Sequence, residues 1–388
     1  MAAAESRIGR RTIGDAFNPR DNSLNFLRLV LALTVILSHS LTLGGKPVAT
    51  TEDFLNSSPG QIAVFGFFGI SGFLIARSAD HNGFGRYLWQ RILRIFPAYW
   101  VCLLVTGLVF GVLAWGYTQT HGLSYYFSSS TGPFQYVYHN GLLRQNQPDI
   151  AGTPVHVPLT GIWNISLWTL QYEFACYLLL GVLAALGLLR RRPFVVLLTA
   201  GVWVIASYYT FSRTSLAYSQ TGFDEARLVG LVPLFLVGAL LYLYRDRIPD
   251  SGWRAAASAA VFIGALWLPF GTAGTYSFFP TVTAAVVFSV FLAYPMIWLG
   301  IHLPFQRIGV RNDYSYGAYV YASPVQQLLA TWGVGRWGMP AYMALSVGGT
   351  MPFAVASWWL IERHALRLKR LGRTAARGEK RPAEAKLT

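Results

Sequence analysis

The chain has 388 residues, of which 54% are hydrophobic, 15% aromatic and only 12% charged, and its mean hydropathy is +0.41. Soluble domains carry about 25% charged residues; this composition excludes a water-soluble protein, and several runs approach the ~20 apolar residues that cross a bilayer. The net charge of +15 lies at the ends of apolar runs, alternately dense and sparse as membrane topology requires, so membrane lipids and not nucleic acid are the expected partners.

Residues 1–23 form a polar, basic tail containing Arg7, Arg10, Arg11 and Arg20. It reads as cytoplasmic, either mobile or lying on the membrane surface. No small-residue cleavage pattern stands out after the next apolar run, which is expected to be a retained signal anchor. That run, 24–43, is span 1 and carries Arg28 and His39. A polar far-side loop, 44–60, leads into span 2 at 61–76. Arg77, Arg86, Arg91 and Arg94 fall in a polar connector, 77–94, which is placed in the cytoplasm. Pro97 is expected to open span 3, 98–117, because proline suits a helix start. The longest polar loop, 118–160, is placed outside as part of an acceptor-binding surface, since long loops without structure are usually functional or disordered. Spans 4 (163–189), 5 (193–211), 6 (228–244), 7 (254–270), 8 (279–300), 9 (314–332) and 10 (341–361) complete the series.

The expected fold is therefore an all-α bundle of about ten transmembrane helices over 24–361, followed by a basic cytoplasmic tail, 362–388. Of the 31 Lys and Arg, only Lys46, Arg144, Arg213, Arg227 and Arg336 fall on the far side, and Arg28 lies within a span. That asymmetry puts both termini inside. No internal repeat of the transporter type is visible. Cys102 and Cys176 both sit in apolar runs with no ligand spacing, so they are read as small core residues.

Arg28 and His39 are eleven positions apart. At ~100° per residue that is three turns plus about 20°, so both side chains share one stripe, with a rise of roughly 16 Å between them. Such groups are costly inside a span and usually face the bundle interior to serve a pathway or a site. A neutral imidazole near pH 7 suits removal of an alcohol's proton, although a histidine bonded to a neighbouring helix is the plainer alternative. Arg28 is read as holding a phosphate or an acyl carbonyl, or as pairing with a carboxylate such as Glu173; snorkelling to the interface competes. Glu173 is the one acidic residue well inside an apolar span, where a carboxylate must protonate or find a cation. It is expected to orient His39 or Arg28, with a purely structural ion pair as the alternative. Arg91 and Arg94, if helical, share a face and offer forks of donors that match phosphates, but as a bare pattern topological anchoring explains them better. Ser71 and Gly72 put small residues among bulky ones, permitting close approach of a helix or a thin chain. No nucleophile elbow surrounds Ser71. Trp168 and Tyr172 flank Glu173 as pocket-lining or packing aromatics. No His/Cys/carboxylate cluster has metal-ligand spacing.

Five stretches together carry a family likeness: the Arg28–His39 spacing, FFGISGFLI at 67–75, RILRIFPAYW at 91–100, SLWTLQYEF at 166–174 and SYGAYVY at 315–321. In this order and at these intervals they resemble the acyltransferase 3 family, integral-membrane enzymes that mostly acylate sugars. The resemblance runs from span 1 to the end of span 10. It implies an O-acyltransferase of the bacterial inner (cytoplasmic) membrane that takes acetyl from cytoplasmic acetyl-CoA and delivers it to a hydroxyl of an exported or surface glycan, such as an O-antigen or exopolysaccharide, or of a lipid-linked sugar. On that reading His39, Arg28 and Glu173 are catalytic, and His39 acts either as base or as acyl carrier. Arg91, Arg94, Ser71, Gly72 and Phe68 contact the donor, and Trp168 and Tyr172 contact the acceptor. Many relatives have a histidine near the end of the span-9 motif; here Tyr321 is followed by Ala322 and Ser323, so a mechanism with a second histidine there is not expected. The chain ends soon after span 10, so acceptor handling is expected from the membrane domain and its outer loops. The rival class is a transporter or glycolipid flippase that uses the same buried Arg, His and Glu as its path. A non-catalytic scaffold leaves Arg28, His39 and Glu173 unexplained.

Overall fold

The computed structural model describes residues 11–45, 59–118, 122–212, 225–268 and 279–370. Arg7, Arg10, Lys46, Arg213, most of the far-side loop, the turn between predicted spans 7 and 8, and the tail from 371 lie outside the described residues. Among the described residues every named element is a helix.

A short helix, α1 (Ile13–Ala16), precedes α2 (Leu24–Leu43), α3 (Pro59–His81) and α4 (Phe84–Thr118). The short helices α5 (Leu123–Ser128) and α6 (Pro133–Asn140) follow, then α7 (Trp168–Ala185), α8 (Arg192–Ser212) and α9 (Glu225–Leu243). The last group is α10 (Gly252–Ala265), α11 (Phe279–Val287), α12 (Ser289–His302), α13 (Ser315–Thr331) and α14 (Met339–Arg367). Six of these, namely α2, α3, α4, α7, α8 and α14, are long and apolar enough to cross a membrane; the apolar helices at predicted spans 6 and 8 are shorter.

The boundaries differ from the sequence reading in four places, each for a packing reason. The basic stretch 11–23 is anchored and not a free tail: Ile13 is buried, Thr12 and Asp15 form a reciprocal capping box, and Ser23 donates to the Leu303 carbonyl at 2.6 Å. Pro97 lies inside α4 and does not start it, because the helix begins at Phe84; neighbouring helices can make good a proline's lost backbone bond in an apolar bundle. The connector 77–94 is thereby almost wholly helical, and Arg91 and Arg94 do share a helix. Predicted span 8 is broken at Phe288, whose backbone (φ −102°, ψ 26°) leaves the helical region. At the other end the last helix runs on through Glu362 to Arg367, since Glu362 is buried and ion-paired and is not a tail residue.

Helices α3 and α9 approach each other closely at glycines. A methyl group on Gly72 would collide with the Phe235 carbonyl, and one on Gly238 with the Gly69 carbonyl. Small residues permit such contact where apolar side chains would hold the helices apart. The connection between α6 and α7 is likewise closed and not open loop. Asn164 Nδ2 donates to the Val320 carbonyl (2.9 Å), Gln327 Nε2 donates to the carbonyls of Leu159 and Ile162 (2.9 and 2.6 Å), and Trp163 is fully buried. These bonds staple residues 159–164 onto α13 and cap the bundle at the His39 end.

Candidate active site

Helix α2 presents Arg28 toward one end of the bundle and His39 toward the other. Arg28 Nη1 lies 3.4 Å from Asp313 Oδ2, and Arg94 Nη2 reaches the same oxygen at 2.5 Å. Arg94 Nη1 is 3.1 Å from Glu362 Oε2, while Ser357 donates to the other Glu362 oxygen at 3.0 Å. The Ser315 hydroxyl and backbone N–H donate to Asp313 Oδ1 at 2.6 and 3.2 Å. Two arginines and two carboxylates from α2, α4, the α12–α13 connection and α14 thus form one mostly buried network. Asp313 sits outside the spans. Its burial opposes ionisation, but the Arg94 and Arg28 charges prevail and hold its carboxyl at about 2.

Glu173 departs from expectation. It pairs with neither His39 nor Arg28; it accepts from the Ser71 hydroxyl at 2.9 Å and from the Tyr177 hydroxyl one turn along α7. Asp313 takes the arginine instead. Glu173 and Arg28 still line one narrow cavity of about 30 Å³, together with Phe67, Phe68, Thr169 and Tyr319. That is room for a water or two.

His39 is half-buried, with Nδ1 3.5 Å from Ser166 Oγ. The Ser166 carbonyl accepts from the Tyr319 hydroxyl at 2.9 Å, and that hydroxyl lies 2.7 Å from Thr169 Oγ1. Since Thr169 and Tyr319 both line the cavity, a short run of hydroxyl groups joins its wall to the residue beside His39. Among the described residues no carboxylate lies within ion-pair distance of His39, so nothing there fixes it as imidazolium.

The predicted donor and acceptor residues separate. Phe68 lines the cavity, Ser71 reaches it through Glu173, and Gly72 serves the α3–α9 contact, so a thin chain does not thread past it. Arg94 is held at both ends of its fork by carboxylates. Arg91 lies over the rings of Tyr87 and Tyr177 at 5.9 and 5.8 Å. Tyr172 is wholly buried as packing, edge-to-face with half-buried Trp168 at 5.9 Å. The Arg227 guanidinium stacks over Trp168 at 4.4 Å. Both cysteines are free and buried, and no group of three His, Cys, Asp or Glu lies together among the described residues.

Sequence reasoning missed Asp313, Glu362, Ser166 and Tyr319. Asp313 stands two residues before SYGAYVY, and an acid there, at a basic end of the bundle, is a signal for a buried cation partner.

Arg28 and Glu173 line one cavity of an apolar helical bundle, and His39 stands farther along the helix that carries Arg28. The chain belongs to the acyltransferase 3 family: the family model described as an acyltransferase domain matches residues 21–359. It is similar to the O-acetyl transferase of Shigella phage Sf6, 29% identical over 356 residues that cover 89% of this chain and 96% of that protein. It is also similar to nodulation protein 10 of Rhizobium leguminosarum bv. viciae, 28% identical over 371 residues, or 90% and 94% of the two chains. No solved structure matches it.

Proposed function

We propose that this acyltransferase moves an acetyl group from cytoplasmic acetyl-CoA to a hydroxyl of an extracytoplasmic glycan such as an O-antigen or exopolysaccharide. It would do so as a ten-span protein of the bacterial inner membrane with both termini inside. The family and the phage relative support the reaction type. The observation that carries the reading is the internal route: a cavity touching Arg28 and Glu173 continues by way of Tyr319, Thr169 and Ser166 to His39.

In this mechanism the donor's phosphates stay at the arginine-rich end, and its thioester reaches the site only as the cavity, which here has room for a water or two, widens around it. Neutral His39 takes the proton of the acceptor hydroxyl as its oxygen bonds to the thioester carbonyl. The C–S bond then breaks and the CoA thiolate leaves, taking up a proton. Alternatively an imidazole nitrogen of His39 attacks first, releases CoA and passes the acetyl on. Glu173, at the cavity wall, is held there by the Ser71 and Tyr177 hydroxyls.

Purified protein in nanodiscs, given radiolabelled acetyl-CoA and a glycan acceptor, tests this. Wild type should label the glycan, and His39→Ala should abolish labelling while the protein still inserts and melts normally. Activity near wild type would remove His39 from the chemistry. A folded wild type that labels no glycan but moves glycolipid across the bilayer would replace the reading with transport.

A further inference from the structure

Helix α10 packs mainly on α12 and leaves Trp253, Val261 and Ile263 exposed. Between the two helices runs a groove of about 340 Å³, walled by Ile248, Pro249, Ala257, Val261, Phe291 and Tyr294. Trp253 and Arg254 line it where α10 begins, and Val261 stands two turns, roughly 10 Å, further along the helix. The Tyr294 hydroxyl donates to the Pro249 carbonyl at 2.8 Å, which ties α12 to the turn before α10 and holds this end of the groove in shape.

The groove is apolar along its length and cationic at one end. Asp250, the acid nearest Arg254 in the chain, is already engaged: its Oδ2 has Arg11 Nε at 3.4 Å and His302 Nε2 at 3.2 Å. Among the described residues no carboxylate lies within ion-pair distance of the exposed Arg254. Trp253 beside it is 79% exposed. An exposed tryptophan next to an arginine at the start of an apolar helix fits the membrane–water interface, where the indole and the charge sit at headgroup level. Val261 and Phe291 then lie deeper, in hydrocarbon. Basic pockets between transmembrane helices suit anionic lipid headgroups, and on the topology proposed above this end faces the anionic, cytoplasmic leaflet. We propose that the α10–α12 groove seats one anionic phospholipid, with its phosphate on Arg254 and an acyl chain laid along Ala257, Val261 and Phe291. The occupant matches the groove in both parts: a negative head for the unpaired guanidinium and an apolar chain for the walls. This site is separate from the Arg28–His39 stripe.

The test follows lipid retention by native mass spectrometry and thermal melting in detergent, with phosphatidylglycerol, phosphatidylcholine or glycerol 3-phosphate added. Wild type should retain one phosphatidylglycerol and melt higher with it than with phosphatidylcholine, and glycerol 3-phosphate should have no effect. Arg254→Ala should weaken retention about five-fold, and Arg254→Lys should keep most of it. Ala257→Phe fills the groove, leaves the cation in place and should lose the lipid as well. Equal phosphatidylglycerol retention by wild type and Arg254→Ala would overturn the proposal, as would phosphatidylcholine held as tightly. Glycerol 3-phosphate that competes with the lipid would make this a free-phosphate site. Retention untouched in a normally melting Ala257→Phe would remove the groove from the contact. A dimer that Ala257→Phe dissociates would make the groove an interface between two copies and equally overturn it. Acyl transfer enters none of these readouts, so the outcome is independent of the donor reading.

Discussion

Asparagine at position 313 would keep the shape of Asp313 and remove its charge. Arg28 would lose its ion-pair partner, and Arg94 would retain only Glu362. Asp313 is held at about 2, below its ordinary 3.8, which corresponds to about 2 kcal/mol in favour of the folded network. The sign follows from the depressed value. The contribution is complete above about pH 4 and is lost as pH falls toward 2, so at pH 7 all of it is present. Removing one partner of a buried pair also strands the other, at a cost of about 3–5 kcal/mol. Asp313→Asn should therefore lower the thermal midpoint in detergent at pH 7 by several degrees. It should also raise the donor KM more than the acceptor KM, because Arg28 and Arg94 lose their common anchor. Adding Arg94→Met to Asp313→Asn should cost less than the two single changes summed, since the stranded charge leaves with its partner. A midpoint and donor KM equal to wild type from pH 5 to pH 8 would refute the reasoning.

Gly72→Ala should destabilise by about 1–3 kcal/mol through forced separation of α3 and α9, read as a lower thermal midpoint; unchanged stability would show that the Phe235 contact yields freely. Glu173→Gln should cut transfer at least about ten-fold with acetyl-CoA affinity preserved, because the neutral amide oxygen accepts the Ser71 and Tyr177 hydroxyls more weakly than the charged Oε1 that both reach. Full activity in that variant would leave Glu173 with packing alone.

The helices were readable because apolar runs bounded by arginines leave few alternatives in a bilayer. The Arg28–His39 stripe was readable for the same reason, since a charge and an imidazole inside such a run stand out. Helix ends were less legible. Arg77, Arg86, Arg91 and Arg94 looked like a loop because positive-inside anchors and helical arginines have the same composition. Pro97 looked like a helix start because a proline's local preference is visible in sequence and the neighbours that accommodate it are not.

The pairing of the buried charges was the least legible, and the reason is geometric. Glu173 was the only acid inside a predicted span, so it became the expected partner of Arg28. The acids that in fact neutralise the arginines, Asp313 and Glu362, stand beside a predicted span and just past one, where hydropathy treats them as surface. Tertiary folding draws both inward: the α12–α13 connection turns Asp313 onto two arginines, and the extended last helix buries Glu362 beneath α4. Arg28 is thereby committed to an ion network, while His39, roughly 16 Å along the same helix, has the Ser166 hydroxyl beside it and no carboxylate at ion-pair distance among the described residues. The two ends of one stripe have different electrostatic environments, a charged end suited to holding a donor and a neutral end suited to taking a proton. In the proposed mechanism the charged end would hold the donor and His39 would take the acceptor's proton, so that one helix would carry both tasks.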